Sequence, residues 1–232
     1  MKVAIVTYYD NQQRYILGQK RQQESLEAVG YTGDYYAFNS VKDIDSPEHL
    51  EVPYAFKCCA IKKVVDMGYD IVIWMDSPVY AIKDIGHFIQ FISDSEGVVL
   101  FDNLGYTIGD YTSDRCLELK GWSRDKAFEN QMIMACLMAF DMRKQQAKDF
   151  VSRYYEAHKT EGMYQGDWAN YANQVSTDNR VKGHRHDQSV ASIIAADMGI
   201  KLLHPYSTFF AYFGNLGHLP HAESVCLISQ GY

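Results

Sequence analysis

In the first hundred residues, short apolar runs alternate with helix-like stretches in the order β-α-β-α-β-α-β, and this constrains the fold more than any other feature of the chain. KVAIVTY (residues 2–8) is β-branched and reads as a buried parallel strand. Residues 14–29 read as a helix stopped by Gly30. DYYAFN (34–39) is a second strand, 40–53 a polar loop with two prolines, and 54–67 a helix stopped by Gly68. DIVIWM (70–75) is the clearest strand and runs into Asp76-Ser77-Pro78. A short helix around 85–93 and the strand GVVLF (97–101) complete the pattern. Strands alternating with helices predict a sheet with helices on both faces.

The second half is less regular. Residues 102–121 read as a long polar, tyrosine-bearing loop, and such loops in compact domains are often functional. Residues 123–132 read as helix. Residues 133–142 are apolar throughout and fit strand or helix. Residues 143–158 place Ala147, Phe150, Val151 and Tyr154 on one helical side, and 187–198 form a helix closed by Gly199. Residues 200–203 read as a short strand, and an aromatic tail (Phe209, Phe210, Tyr212, Phe213) follows. No repeat or linker interrupts the chain, which predicts one domain over 1–232, with a nucleotide-binding half (1–101) and a sugar- and acceptor-binding half (102–232).

A net charge of −7 without a lysine or arginine run argues against a nucleic-acid partner. No window approaches the ~20 apolar residues that span a bilayer, and the N-terminal run is too short for a secretory signal, so a soluble cytoplasmic protein is expected. The five cysteines form no CxxC pair and read as reduced, small buried hydrophobes. GxGxxG after the first strand, GxxxxGK[ST], GxSxG and HExxH are all absent, which disfavours dinucleotide, P-loop, serine-hydrolase and zinc-peptidase chemistry.

Position singles out the candidate site residues. Asp76 directly follows a strand, and ligands of open parallel sheets bind at the carboxyl ends of strands. A carboxylate there can hold a divalent ion that neutralises a diphosphate; its structural alternative is a turn aspartate. Asp102 and Asn103 end the next strand on the same side and suit contact with a sugar. His186, Asp187 and Gln188 open an apolar helix whose N-terminus favours anions and acceptor oxygens, with Arg185 and His184 packed beside them. Asp187 suits binding of a sugar hydroxyl or general-base work toward an acceptor, against a plain capping role worth about 1 kcal/mol.

The stretch Ile71-Val72-Ile73-Trp74-Met75-Asp76-Ser77-Pro78-Val79 resembles the strand and acidic motif of GT-A glycosyltransferases. The resemblance implies an α/β, GT-A-like three-layer sandwich around a mixed, mainly parallel sheet. It also implies that Asp76, as the first aspartate of an Asp-x-Asp motif, binds Mn²⁺ or Mg²⁺ and through it the diphosphate of a nucleotide sugar. Pro78 stands where the second aspartate would be, and proline offers no side-chain ligand. By the same resemblance Tyr8 or Tyr9 stacks on the base, Ser77 and Lys57 lie near the phosphates, and the Asp187-Gln188 pair lies beside the transferred sugar or acceptor. A late histidine, His218 or else His204, would be a further metal ligand. The resemblance runs from the first strand to the His-Asp-Gln segment and implies glycosyl transfer from a nucleoside diphosphate sugar donor to a hydroxyl acceptor. The alternatives are a nucleotidyltransferase, disfavoured by a glycine-free Tyr-Tyr-Asp-Asn-Gln-Gln-Arg loop after the first strand, and a non-catalytic carbohydrate- or partner-binding domain with a decayed site.

Overall fold

The computed structural model describes residues 1–212 and 223–230. Its main sheet has five strands: β1 (Val3–Tyr8), β2 (Asp34–Phe38), β3 (Ile71–Met75), β5 (Val98–Thr107) and β6 (Gln131–Asp141), in the spatial order β2-β1-β3-β6-β5. β1 pairs in parallel with β2 and β3, while β6 runs antiparallel to both β3 and β5. Four strands therefore share one direction and β6 opposes them, the mixed α/β sheet expected. A second sheet, β4 (Val79–Ala81), β8 (Leu227–Ser229) and β7 (Phe210–Tyr212), lies beside it.

The period-2 alternation of strand side chains builds two cores. Val72 and Trp74 of β3 join the core formed with α2 (Ala55–Asp66), α6 (Gln145–Ala157) and α7 (Asp187–Asp197). Ile71, Ile73 and Met75 point the other way, into a core with α1 (Gln13–Ala28), α3 (Gly86–Asp94) and the second sheet. Every residue of β3 is buried, which is why the strand reads as a continuous apolar run. Residue 76 falls in step with 72 and 74, so the Asp76 side chain faces α2 and α7. Its backbone N–H donates to the Cys136 carbonyl at 2.8 Å, continuing the pairing with β6.

The turn carrying Asp76 is fastened from α1. Gln22 donates to the Asp76 carbonyl at 2.9 Å and to that of Val79 at 2.8 Å, and Arg21 donates to that of Pro78 at 3.0 Å. Gly18 lets the helix come this close, because a Cβ there would stand 2.8 Å from the Ser77 carbonyl oxygen, which is backbone and cannot swing aside. Gly18→Ala should therefore cost about 1–3 kcal/mol of stability by overpacking. Chemical denaturation would show this as a lower midpoint at an unchanged slope, and an unchanged midpoint would contradict it.

Three expectations are corrected. Residues 102–121 are not a long loop: β5 continues through bulges to Thr107, and a 3₁₀ turn (Ile108–Tyr111) and α4 (Asp114–Lys120) follow. Residues 123–132 hold only the short α5 (Arg124–Phe128) before β6 begins. Residues 200–203 make a single bridge, Leu203 to Phe101, rather than a strand. The apolar stretch 133–142, open to either reading, is strand β6.

Candidate active site

Lys57 sits in the first turn of α2 with its side chain buried, and three acceptors surround its ammonium group. Nζ lies 2.8 Å from Asp187 Oδ2, 3.2 Å from Asp76 Oδ1 and 3.0 Å from the Ala135 carbonyl of β6. An ammonium has three donors, so this set satisfies it. Burial alone would lower its pKa, yet the carboxylates of Asp187 and then Asp76 hold it above the ordinary lysine value. Two carboxylates 111 positions apart in sequence thus meet on one cation.

Asp76 is a third exposed and faces open space. Trp74 Nε1 donates to Oδ1 at 2.7 Å, the same oxygen that faces Lys57. Among the described residues no hydrogen bond reaches Oδ2. Burial raises the Asp76 carboxyl above its ordinary range, against the pull of Lys57 and with the push of Asp187. Asp187 opens α7 and is 6% exposed, with Tyr154 Oη also near its Oδ2 at 3.4 Å.

The carboxylates open into a cleft of about 310 Å³ at the carboxyl ends of β1 and β3. Its walls include Tyr54, Asn103, Met134, Cys136, Trp168, Arg185, Gln188 and Tyr212. Five residues singled out from sequence, Lys57, Asp76, Asn103, Asp187 and Gln188, converge here. Gln188 donates its amide to the Ile133 carbonyl at 2.6 Å. Tyr8, Tyr9, Ser77, Asp102 and His186 are not in the cleft lining. Tyr8 stacks on Phe56 at 4.4 Å, and Phe56 in turn meets Tyr54 at 5.7 Å, so an aromatic belt joins the end of β1 to the cleft wall. Ser77 is buried in the turn. Asp102 Oδ1 is buried without a partner, and burial raises its carboxyl. His218 lies outside the described residues, as does Phe213 of the aromatic tail.

His186 stands behind the wall. Its ring stacks on Tyr54 at 5.3 Å and on Trp168 at 5.9 Å, and Nδ1 pairs with the Tyr164 carbonyl at 2.8 Å. Its φ of 47° with ψ of −114° is a strained conformation for a non-glycine residue, worth of order 1–3 kcal/mol, located at the entry to α7 beside Asp187.

Arg185 and Trp168 had no signal of their own in the sequence. The Arg185 guanidinium lies 3.6 Å from the Trp168 ring centre and 4.2 Å from that of Tyr111. Among the described residues no carboxylate pairs with it. It is thus a cation held in place by aromatic faces, with its charge open to an anion in the cleft. The rings come from residues remote in sequence, so only the fold reveals the arrangement.

The groups that hold this wall are pH-sensitive. His184 is fully buried, accepts from the Ser113 N–H at Nδ1 (3.2 Å) and pairs through Nε2 with the Met163 carbonyl (3.1 Å). Burial, reinforced by the neighbouring His186, pushes it down to about 3 from 6.5. Between those values the unfolded chain binds the proton and the native state does not. Stability should therefore be complete above pH 6.5 and fall toward pH 3, at up to about 1.4 kcal/mol per pH unit for this group. Asp76, with its raised carboxyl, works with the opposite sign. Melting curves across pH 3–7 check this: His184→Gln should flatten the acid slope, and an unchanged slope would remove His184 from the explanation.

No family model matches the chain, and no curated protein matches it. Among solved structures the chain is similar to a glycosyltransferase involved in the glycosylation of the major capsid of PBCV-1, with a TM-score of 0.58 and 13% identity over 99% of this chain and 93% of that one. At that identity the likeness is one of fold, and it defines the class of architecture here as glycosyltransferase-like. Among the described residues no helix is long and apolar enough to cross a membrane.

Proposed function

We propose that this protein is a glycosyltransferase of the GT-A kind that moves a sugar from a nucleoside diphosphate sugar to a hydroxyl acceptor. The observation that carries the reading is the cleft where Lys57 bridges Asp76 and Asp187 at the carboxyl edge of the sheet, with the unpaired Arg185 opposite. The glycosyltransferase-like fold supports it.

In this reading Arg185 takes a non-bridging oxygen of the diphosphate, and the N-terminal ends of α2 and α7 add favourable field for negative charge. Lys57 keeps the two carboxylates in register and offsets their charge. Asp187, fixed by Lys57, accepts a hydrogen bond from a hydroxyl of the sugar or of the acceptor, with Asn103 nearby. Tyr54 and Trp168 offer faces for a sugar ring, and Tyr8 with Phe56 offers one for the base. The residues also fit a divalent ion such as Mn²⁺ or Mg²⁺ held by one carboxylate, through Asp76 Oδ2, with water and diphosphate oxygens completing its coordination. When bound, such an ion supplies stabilisation of the departing diphosphate. Pro78 in place of a second carboxylate favours a second reading, a nucleotide-sugar-binding domain that has lost turnover.

A thermal-shift panel of UDP, GDP, CDP and their sugars, with and without Mn²⁺, tests binding. The matching nucleotide at 100 times its dissociation constant should add about 2.7 kcal/mol of stability, and Arg185→Ala should reduce that gain. No stabilisation by any member would contradict the proposal.

A further inference from the structure

Directly after Lys57, and turned away from the cleft, α2 presents Cys58 and Cys59 to the end of α6, where His158 follows the last helical residue. One ligand atom from each of the three residues lies within 4.8 Å of the others, and all three are buried. Cys59 Sγ is 3.9 Å from His158 Nε2. The other ring nitrogen, Nδ1, is committed to the Tyr155 carbonyl, so it carries the proton and Nε2 turns its lone pair toward the thiols. Metal-binding histidines are held in this way, by a backbone carbonyl on the far nitrogen.

We infer that Cys58, Cys59 and His158 form a binding site for a thiophilic divalent cation of the Zn²⁺ class, separate from the cleft. Two thiolates and an imidazole select such an ion over Mg²⁺ or Mn²⁺. Around a tetrahedral ion, with bonds of about 2.3 Å to sulfur and 2.0 Å to nitrogen, the ligand atoms stand roughly 3.5–3.8 Å apart. The three atoms therefore need to close by about 1 Å at most, with water in the fourth position. Binding releases the two thiol protons as the metal–sulfur bonds form. Cys58 Sγ meanwhile leaves its present acceptor, the Ala55 carbonyl at 3.1 Å. The ion would pin α2 to α6 immediately behind the residue that bridges the two carboxylates. This inference does not depend on the proposed glycosyl transfer.

The test is to refold the full chain in Co²⁺ and record its spectrum. One equivalent should give sulfur-to-cobalt charge transfer with tetrahedral visible bands. Cys59→Ala and His158→Ala should weaken binding at least tenfold, and Cys116→Ala should leave it unchanged. Should the first two variants fail to fold, X-ray absorption of the Zn²⁺-loaded wild-type chain decides: two sulfur ligands and one nitrogen are expected. Coordination by oxygen alone, absence of the cobalt–sulfur bands, or bands that persist undiminished in folded Cys59→Ala would overturn the assignment.

Discussion

Replacing Lys57 by methionine is expected to lower the unfolding free energy by about 3–5 kcal/mol, the largest single-residue effect foreseen for this chain. The substitution preserves most of the apolar stem but leaves the 6%-exposed Asp187, and with it Asp76, without the cation they share. For a chain of this size each kcal/mol moves the melting temperature by about 2–4 °C, so a loss of roughly 10 °C should be seen in a thermal melt. The damage should come from unpaired charge rather than lost packing. Adding Asp187→Asn to Lys57→Met should then restore part of the loss, giving a non-additive cycle. A purely additive pair would show that the contact seen between these groups does not govern stability. The pH sign is also fixed: because the carboxylates raise the Lys57 pKa, its contribution is complete below its unfolded value of 10.5 and fades only as alkali approaches the native value.

The second large effect concerns turnover. Asp76→Asn keeps the shape, and the amide oxygen can still accept from Trp74 Nε1. It removes the charge proposed to act on the diphosphate and its metal ion. Release of nucleoside diphosphate from the donor should fall about 10²–10³-fold, the usual consequence of losing one group that stabilises transition-state charge. Stability should stay level or rise, because the raised carboxyl of Asp76 shows that its ionised form is held at a cost in the native state. Loss of activity without loss of stability marks a functional residue. Equal turnover in the variant would remove Asp76 from the mechanism.

How far this was legible in the sequence differs from element to element. β1 and β3 are buried on both faces, so unbroken apolar runs announced them and fixed Asp76 at a strand end. Lys57 and Asp187 were readable as helix-start residues, although their shared contact was not, since it depends on which helices flank β3. β5 beyond Phe101 was misread because bulges break its alternation and its outer part is exposed. The second sheet left no local trace: its strands are three residues long and join residues 79–81 to residues 227–229. Arg185 was visible only as a charge next to Asp187, because the rings that hold it come from Tyr111 and Trp168.

The most direct measurement is nucleoside diphosphate release from a panel of UDP-, GDP- and CDP-sugars by the wild-type chain with Mn²⁺ present. The cleft chemistry predicts release from one class of donor, above the rate without protein, and quicker once a hydroxyl acceptor is supplied. Donor that binds yet stays intact across the whole panel would contradict catalysis at the Asp76–Lys57–Asp187 cluster.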